Sequence, residues 1–224
     1  MTISTLTSLM DTAQGVVFDF DGTLAELTIE FPPLYTRVFE MSQKYDVDTT
    51  RLSEHYLIEV IDEIAALIDG KAGDTFRRNA LDMIIREEVA AAESATLFPG
   101  SRELIGALKA RGKRVALVTR NCRDAVLRVY PEVTVDVDVF LPRDDVSRIK
   151  PDPEHLNRAL SLMGTEPMMS IMVGDHPIDV TSASAVGMET VGVLTGKVGR
   201  DDLEEAGALF VLDRASDMIQ HLSD

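Results

Sequence analysis

The 224-residue sequence predicts an α/β fold, a doubly wound and mainly parallel sheet that carries an inserted all-helical segment. The first observation is a series of short apolar runs rich in Val and Ile, typical of strands buried on both faces. The second is that helical patterns separate these runs. The third is that residues 27–96 interrupt the alternation with helical patterns alone.

Six apolar runs predict the strands. They lie at residues 15–20, 114–119, 137–140, 170–174, 189–193 and 208–212. Helices between them are predicted at 100–111, 152–163 and 177–186, the last two beginning with proline signals. In a doubly wound sheet the ligand crevice lies at the carboxyl ends of the strands. The polar residues that follow the runs are therefore candidate site residues.

The inserted segment is predicted to be a separate helical domain. Its pattern indicates helices at 32–45, 50–68 and 74–94, with a loop at 69–74. Because it leaves and re-enters the sheet domain near the end of the first strand, we expect it to cover the crevice as a cap. The predicted domains are an α/β core of residues 1–26 and 97–224 and a cap of residues 27–96.

Composition limits the partners and the compartment. A formal net charge of −16 disfavours binding to nucleic acid or to an anionic membrane. No apolar run approaches the ~18 to 20 residues that cross a bilayer, and the first residues lack the pattern of a signal peptide. The single cysteine, Cys122, cannot form an internal disulfide. We therefore expect a cytoplasmic protein, either a monomer or a homodimer.

Two carboxylates follow the first predicted strand, at Asp19 and Asp21. Side chains at positions i and i+2 of an extended chain point to the same side, so both converge on one small volume. Gly22 and Thr23 come next and allow a sharp turn. Neighbouring carboxylates bind a metal, or one keeps a proton and becomes a general acid. The pair alone is equally compatible with turn-forming and helix-capping residues.

Thr119, Arg120 and Asn121 follow the second strong strand. A hydroxyl at a strand end, beside the free amides of the next helix, makes a corner that binds an oxyanion. Threonine is also common at strand ends without such a role, and Asn121 is compatible with a plain N-cap.

Lys150, Asp175 and Asp179 are the remaining candidates on this edge of the sheet. Lys150 precedes a proline, which favours an extended backbone, and its ammonium suits a phosphate. A solvated surface lysine is the alternative. Asp175 ends a strand and Asp179 lies in the first turn of the next helix, so both offer oxygen ligands for Mg²⁺. Asp179 is also compatible with stabilising that helix terminus.

The joint pattern resembles the haloacid dehalogenase superfamily, in particular the phosphoglycolate phosphatase-like branch with a helical cap. The resemblance rests on VVFDFDGTL (16–24), LFPGSRELIGALKARGKRVALVTRN (97–121), KPDPEHL (150–156) and VGDHPIDVTSASAVGMETVGV (173–193). The resemblance extends over nearly all of the core. For the cap, it extends only to the position of the segment and its helical character. It implies a Mg²⁺-dependent phosphatase that acts on a small phosphorylated metabolite through an aspartyl-phosphate.

The resemblance also implies roles for individual residues. Asp19 would be the nucleophile, with its second oxygen on Mg²⁺. Asp21 would protonate the leaving group, activate water and bind the metal through its carbonyl. Thr119 and Lys150 would hold the phosphoryl oxygens. Asp175 would bind the metal directly.

The role that the resemblance gives Asp179 is that of a ligand through water or of a residue orienting Lys150. Further candidates for substrate binding are Asn121, Arg120 and Lys71.

Other readings stay open at this stage. A sugar-phosphate mutase of the β-phosphoglucomutase type uses the same scaffold, although Thr23 favours a phosphatase. It would need cap cations such as Lys71, Arg77 and Arg78. Phosphonate hydrolysis through a Schiff base on Lys71 carries less weight. A catalytically silent binding protein is disfavoured because every catalytic position is filled. Phosphoglycolate, sugar phosphates and nucleoside monophosphates are all compatible substrates.

Overall fold

The computed structural model describes residues 5–26, 29–53 and 56–223. These residues fall into two compact units. One lies within Met1–Leu27 and Ala92–Asp224, and the other lies within Thr28–Ala91.

The first unit contains the sheet. Within the described residues, six parallel strands form one sheet in the order β3-β2-β1-β4-β5-β6. The strands are β1 (Gly15–Phe18), β2 (Arg114–Val118), β3 (Val139–Leu141), β4 (Ser170–Gly174), β5 (Glu189–Val193) and β6 (Phe210–Leu212). The strand order reverses between β1 and β4, which is where a doubly wound fold places its crevice. The predicted fold class is confirmed.

Helices surround the sheet and make up most of the second unit. In the part of the chain that the structure describes they are α1 (Leu6–Thr12), α2 (Phe31–Ser42), α3 (Leu57–Leu67), α4 (Gly70–Ala92), α5 (Ser101–Ala110), α6 (Arg123–Val129), α7 (Val133–Asp136), α8 (Pro153–Met163), α9 (Pro177–Val186) and α10 (Arg200–Ala206). Of these described helices, not one has the length and apolar character to span a membrane.

Both faces of the sheet are buried. Successive side chains of a strand point to opposite faces. In β1, Val16 and Phe18 belong to one apolar cluster and Val17 belongs to the other. All three are fully buried, which explains why this run is apolar without alternation.

Strand β1 is shorter than the predicted run of residues 15–20. The amide of Asp19 still donates to the carbonyl of Val173 at 2.9 Å, but the chain then turns through Gly22, whose φ is +83°. The carbonyl of Phe20 accepts from the amides of the turn, including that of Leu24 at 2.9 Å. The turn therefore closes on itself directly after the strand, and the carboxylates are held on a compact loop.

The described residues of the second unit form α2, α3 and most of α4, and 3-10 turns at Gln43–Tyr45 and Thr49–Arg51 lie between α2 and α3. The predicted loop at 69–74 is wrong, because α4 begins at Gly70. Gly73 lies so close to α3 that a Cβ there would collide with the carbonyl oxygen of Ala65. This glycine permits close packing within a helix and does not mark a loop.

Candidate active site

The candidate site lies at the carboxyl edge of the sheet, beside the reversal of strand order. Asp19 directly follows β1, Thr119 directly follows β2 and Asp175 directly follows β4. Asp179 lies in the first turn of α9, and Lys150 lies in the loop before α8. The sheet therefore brings together residues that are far apart in the sequence.

Lys150 forms the centre of the site. Its Nζ donates to Oδ1 of Asp19 at 2.7 Å and to Oδ1 of Asp179 at 2.6 Å. The side chain is 1% exposed, which excludes the alternative of a solvated surface lysine. Burial alone lowers the pKa of Lys150, but the negative charges of Asp179 and Asp19 outweigh it and the pKa is raised. The ammonium is therefore charged at neutral pH.

Three carboxylates converge beside this ammonium. One oxygen from each of Asp19, Asp175 and Asp179 lies within 4.8 Å of the others. Burial raises the pKa of Asp19 to about 6. The positive charge of Lys150 opposes this rise, and the negative charge of Asp179 adds to it. Burial and the charges of Asp19 and Asp179 raise the pKa of Asp175 well above its usual range. The single ammonium does not balance the three carboxylates.

This donor set fits a magnesium ion. Mg²⁺ prefers hard oxygen ligands and is commonly bound by a few carboxylates, with water and substrate oxygens completing the octahedron. Asp19, Asp175 and Asp179 supply such oxygens, and a divalent cation would offset the charge that Lys150 leaves uncompensated. These three carboxylates can therefore contribute to a metal site, and metal binding by the carbonyl of Asp21 stays a prediction.

The turn after β1 and the loop after β5 surround Asp175. Thr23 Oγ1 donates to Asp175 Oδ1 at 3.1 Å. A Cβ at Gly22 or at Gly196 would collide with Asp175 Oδ2, so both positions require glycine. Thr195 Oγ1 donates to the carbonyl of Gly22 at 2.6 Å and ties the two loops together. Sequence reasoning missed Thr195 and Gly196, because no local pattern shows that their loop reaches Asp175.

Asp21 lies on a second branch of the site. Its Oδ2 accepts from Asn121 Nδ2 at 2.9 Å, and the backbone amide of Asn121 donates to Thr119 Oγ1 at 3.0 Å. Asn121 is not the N-cap of α6, a position that Cys122 holds. Instead, the Asn121 side chain donates to the Asp21 carboxylate, and its Oδ1 accepts from the amide of Cys122 at 2.8 Å.

Asp179 is fixed by its own helix. Its Oδ2 accepts from the backbone amide of His176 at 3.3 Å, while Nδ1 of His176 accepts from the amide of Ile178 at 3.2 Å. This reciprocal capping box leaves Asp179 Oδ1 facing Lys150. Asp179 therefore caps its helix and contacts Lys150, and its role as a metal ligand stays a prediction.

Two further candidates are placed less directly. Arg120 Nη1 donates to the carbonyl of Lys150, and the Arg120 carbonyl accepts from Arg143 Nη1 at 2.6 Å. Lys71 is exposed in the first turn of α4, in the second unit. Substrate binding by Arg120 and by Lys71 stays a prediction.

The chain belongs to the haloacid dehalogenase-like hydrolase family, whose model matches residues 16–193. The family expected from the four motifs is confirmed. Among curated proteins, the pyrophosphatase PpaX from Bacillus cereus (strain AH820) is 36% identical over 124 residues. That match covers 54% of this chain and 57% of PpaX, so the chain spans little more than half the length of this relative.

Solved structures share the fold. A hydrolase from Pseudomonas syringae superposes with a TM-score of 0.67 at 22% identity, over 93% of this chain and 97% of that one. CbbY from Rhodobacter sphaeroides, solved in complex with phosphate, gives a TM-score of 0.64 at 22% identity, over 92% and 96% of the two chains. At these identities the similarity establishes the architecture of the chain.

Proposed function

We propose that the protein is a Mg²⁺-dependent phosphatase that hydrolyses a small phosphate monoester through an aspartyl-phosphate. The observation that supports this proposal most is the buried contact of Lys150 with Asp19 and Asp179, beside Asp175. A buried, paired ammonium next to a carboxylate group is a costly arrangement for stability alone. Its placement at the crevice edge of the sheet favours a catalytic use.

Asp19 is the proposed nucleophile. One of its carboxylate oxygens attacks phosphorus, a P–O bond to Asp19 forms, and the bond from phosphorus to the leaving oxygen breaks. Lys150 keeps Asp19 oriented and ionised through the 2.7 Å contact. A metal held by Asp19, Asp175 and Asp179 would neutralise phosphoryl oxygens as a Lewis acid.

Asp21 is the proposed acid and base. It gives its proton to the leaving alkoxide and then takes a proton from the water that attacks the aspartyl-phosphate. The hydrogen bond from Asn121 fixes the orientation of its carboxylate. Asp21 is partly exposed, so it can exchange its proton with solvent.

Thr119 and Lys150 are proposed to bind the transferring phosphoryl group. Thr119 is buried at the end of β2, where its hydroxyl faces the amide of Asn121. Lys150 contributes the positive charge that an acidic protein otherwise lacks. Asn121, Arg120 and Lys71 are proposed to contact the rest of the substrate.

The helical unit Thr28–Ala91 is proposed to act as the cap that selects the substrate. Phosphoglycolate, small sugar phosphates and nucleoside monophosphates are the candidate esters. The name of the relative, pyrophosphatase PpaX, adds pyrophosphate as a second candidate. Pyrophosphate differs chemically because its leaving group is a phosphate, which needs less protonation by Asp21 than an alkoxide does.

The test is phosphate release across a panel of these compounds with Mg²⁺, with Asp19→Asn as the blank and Asp21→Asn alongside. One ester hydrolysed far faster than the others, and lost in Asp19→Asn, supports the proposal and names the substrate. A preference for pyrophosphate that largely survives Asp21→Asn favours the second candidate. Full phosphate release by Asp19→Asn would contradict both candidates.

A further inference from the structure

A buried imidazole lies directly behind the candidate site. His155, in the first turn of α8, is 0% exposed. Its Nδ1 accepts from the backbone amide of Lys150 at 3.2 Å, and its Nε2 lies 3.1 Å from the carbonyl oxygen of Leu141. Because Nδ1 accepts from an amide and Nε2 faces a carbonyl, Nε2 must carry the proton. The ring is therefore the neutral Nε2–H tautomer.

The same carbonyl also serves a second site residue. Leu141 is the last residue of β3, and its oxygen accepts from the amide of Thr119 at 3.2 Å. His155 therefore joins the backbone of Lys150 to the carbonyl that anchors Thr119. In the proposed function, Lys150 and Thr119 are the residues that bind the phosphoryl group.

The backbone of Lys150 is held from both sides. His155 accepts its amide, and Arg120 Nη1 donates to its carbonyl. The side chain of Lys150 must span from this backbone to Asp19, so a shift of the backbone moves Nζ relative to the nucleophile. Small displacements of such a group reduce the rate of a reaction that depends on alignment.

We propose that His155 is a positioning residue that fixes the backbone of Lys150 in register with Thr119. This inference rests on the proposed function, because the aligned groups are those assigned to the phosphoryl group. His155 does not touch the reacting atoms. It acts through the Lys150 amide, and its loss would leave that buried amide without an acceptor.

The charge state of the ring agrees with this role. Burial, together with the positive charges of Lys150 and Arg120, lowers the pKa of His155 to about 3. The ring is therefore neutral at ordinary pH and keeps Nδ1 available as an acceptor. A protonated ring would present a donor to the Lys150 amide, and the contact would be lost.

Three substitutions in the full chain separate the two hydrogen bonds. His155→Asn keeps an acceptor near the position of Nδ1 but does not reach Leu141. His155→Gln keeps a donor that reaches toward Leu141 but loses the acceptor for Lys150. His155→Leu keeps an apolar volume and removes both. Leu160→Ala, at a buried apolar position further along the same helix, is the control for lost stability.

The measurement is kcat and KM with Mg²⁺ on the best ester of the panel. We expect His155→Leu to lower kcat by about 10- to 100-fold with KM changed less than about threefold, because binding is retained and alignment is lost. His155→Asn should retain more of kcat than His155→Gln, and Leu160→Ala should keep the wild-type kcat. Wild-type kcat in His155→Leu and His155→Gln, or an equal loss in Leu160→Ala, would overturn the proposal.

A second readout does not depend on activity. Nitrogen-15 spectra of the imidazole should show the neutral Nε2–H form across neutral pH, and the Lys150 amide should exchange faster in His155→Gln than in wild type. A ring protonated at Nδ1, or an unchanged Lys150 amide in His155→Gln, overturns the inference. Wild-type protein that releases no phosphate contradicts the proposed function instead, and the amide measurement then decides the inference alone.

Discussion

The α/β unit contains a buried ion-pair group in addition to exposed pairs such as Arg148–Asp152, whereas the Arg77–Asp62 pair of the helical unit is exposed. In the α/β unit, Lys150 and Asp179 are 0% and 1% exposed and contact each other at 2.6 Å. In the helical unit, Arg77 pairs with Asp62 at a similar distance, but the side chains are 48% and 47% exposed. A buried ion pair carries a large desolvation cost, whereas an exposed pair contributes little in either direction.

This difference explains why the sequence indicates the family of the protein and does not indicate a substrate. In the buried group, each position is restricted to one residue type, and these restricted positions form recognisable motifs in the sequence. Among its described residues, the helical unit instead has clefts that include one of about 630 Å³ and one of about 540 Å³. The first has carboxylates and apolar groups on its walls, and the second has charges of both signs. Many sequences can form such surfaces.

Comparing one lysine from each unit gives the largest expected effect. Lys150→Met should lower kcat/KM by about 10³-fold or more, because it removes the charge beside Asp19 and leaves its two buried carboxylate partners uncompensated. Lys71→Met, on the exposed first turn of α4, should change KM by less than about tenfold and leave kcat within about threefold. Steady-state kinetics on the same ester measures both.

Similar kinetic constants for Lys150→Met and Lys71→Met would contradict the proposed difference between the two units. An equal loss of kcat in Lys71→Met would give the helical unit a catalytic group. A fully active Lys150→Met would remove the reason for burying that ammonium. Circular dichroism of each variant confirms that the fold is retained.

Replacing Asp175 tests the metal site with an intermediate effect. Asp175→Asn keeps the shape of a side chain that Thr23 and Gly196 enclose, but it removes a negative oxygen ligand. We expect about 10- to 100-fold weaker Mg²⁺ binding, measured by calorimetry and by the Mg²⁺ concentration that gives half-maximal activity.

The control for Asp175→Asn is Asp62→Asn, which removes an exposed carboxylate from the helical unit. It should leave Mg²⁺ binding unchanged. Equal Mg²⁺ affinity of wild type and Asp175→Asn would rule out Asp175 as a ligand. Activity of the wild type that is unaffected by chelation would argue against the whole carboxylate site.

The pH dependence of stability gives the smallest effect. The pKa of His155 is lowered from 6.5 to about 3 in the folded chain, so the unfolded chain binds a proton that the folded chain does not. The stability that this neutral ring contributes is therefore present above about pH 6.5 and lost progressively as the pH falls toward 3. Between about pH 7.5 and about pH 5.5, wild type should lose about 1.4 kcal/mol more free energy of unfolding than His155→Asn.

Denaturant titrations of both proteins at the two pH values measure this difference. Leu160→Ala, at a buried apolar position of the same helix, is the control for a substitution that removes no titratable group. Leu160→Ala should follow the wild-type pH dependence. Parallel curves for wild type and His155→Asn would show that His155 titrates normally in the folded chain.

The sequence predicted the elements whose signals are local. Neighbouring residues are enough to identify the apolar run of β1, the proline that starts α9, and the carboxylates at Asp19 and Asp179. What it could not show were contacts between distant segments. Nothing near His155 indicates that its ring reaches the carbonyl of Leu141, which lies 14 residues earlier.

Glycines show the same limit. Gly196 is required because Asp175 approaches it from another strand, and Gly73 is required because α4 packs against Ala65. In the sequence, Gly73 indicated a loop, since glycine is most often read as a break in a helix. The close packing of α4 on Ala65, which makes this interpretation wrong, is visible only in the folded chain.

The most direct test of the account is the mass of the protein quenched in acid during turnover of the best ester with Mg²⁺. The account predicts a covalent adduct of one phosphoryl group on wild type, carried by the peptide that contains Asp19, and its absence in Asp19→Asn. An adduct on another residue, or continued turnover by Asp19→Asn, would contradict it.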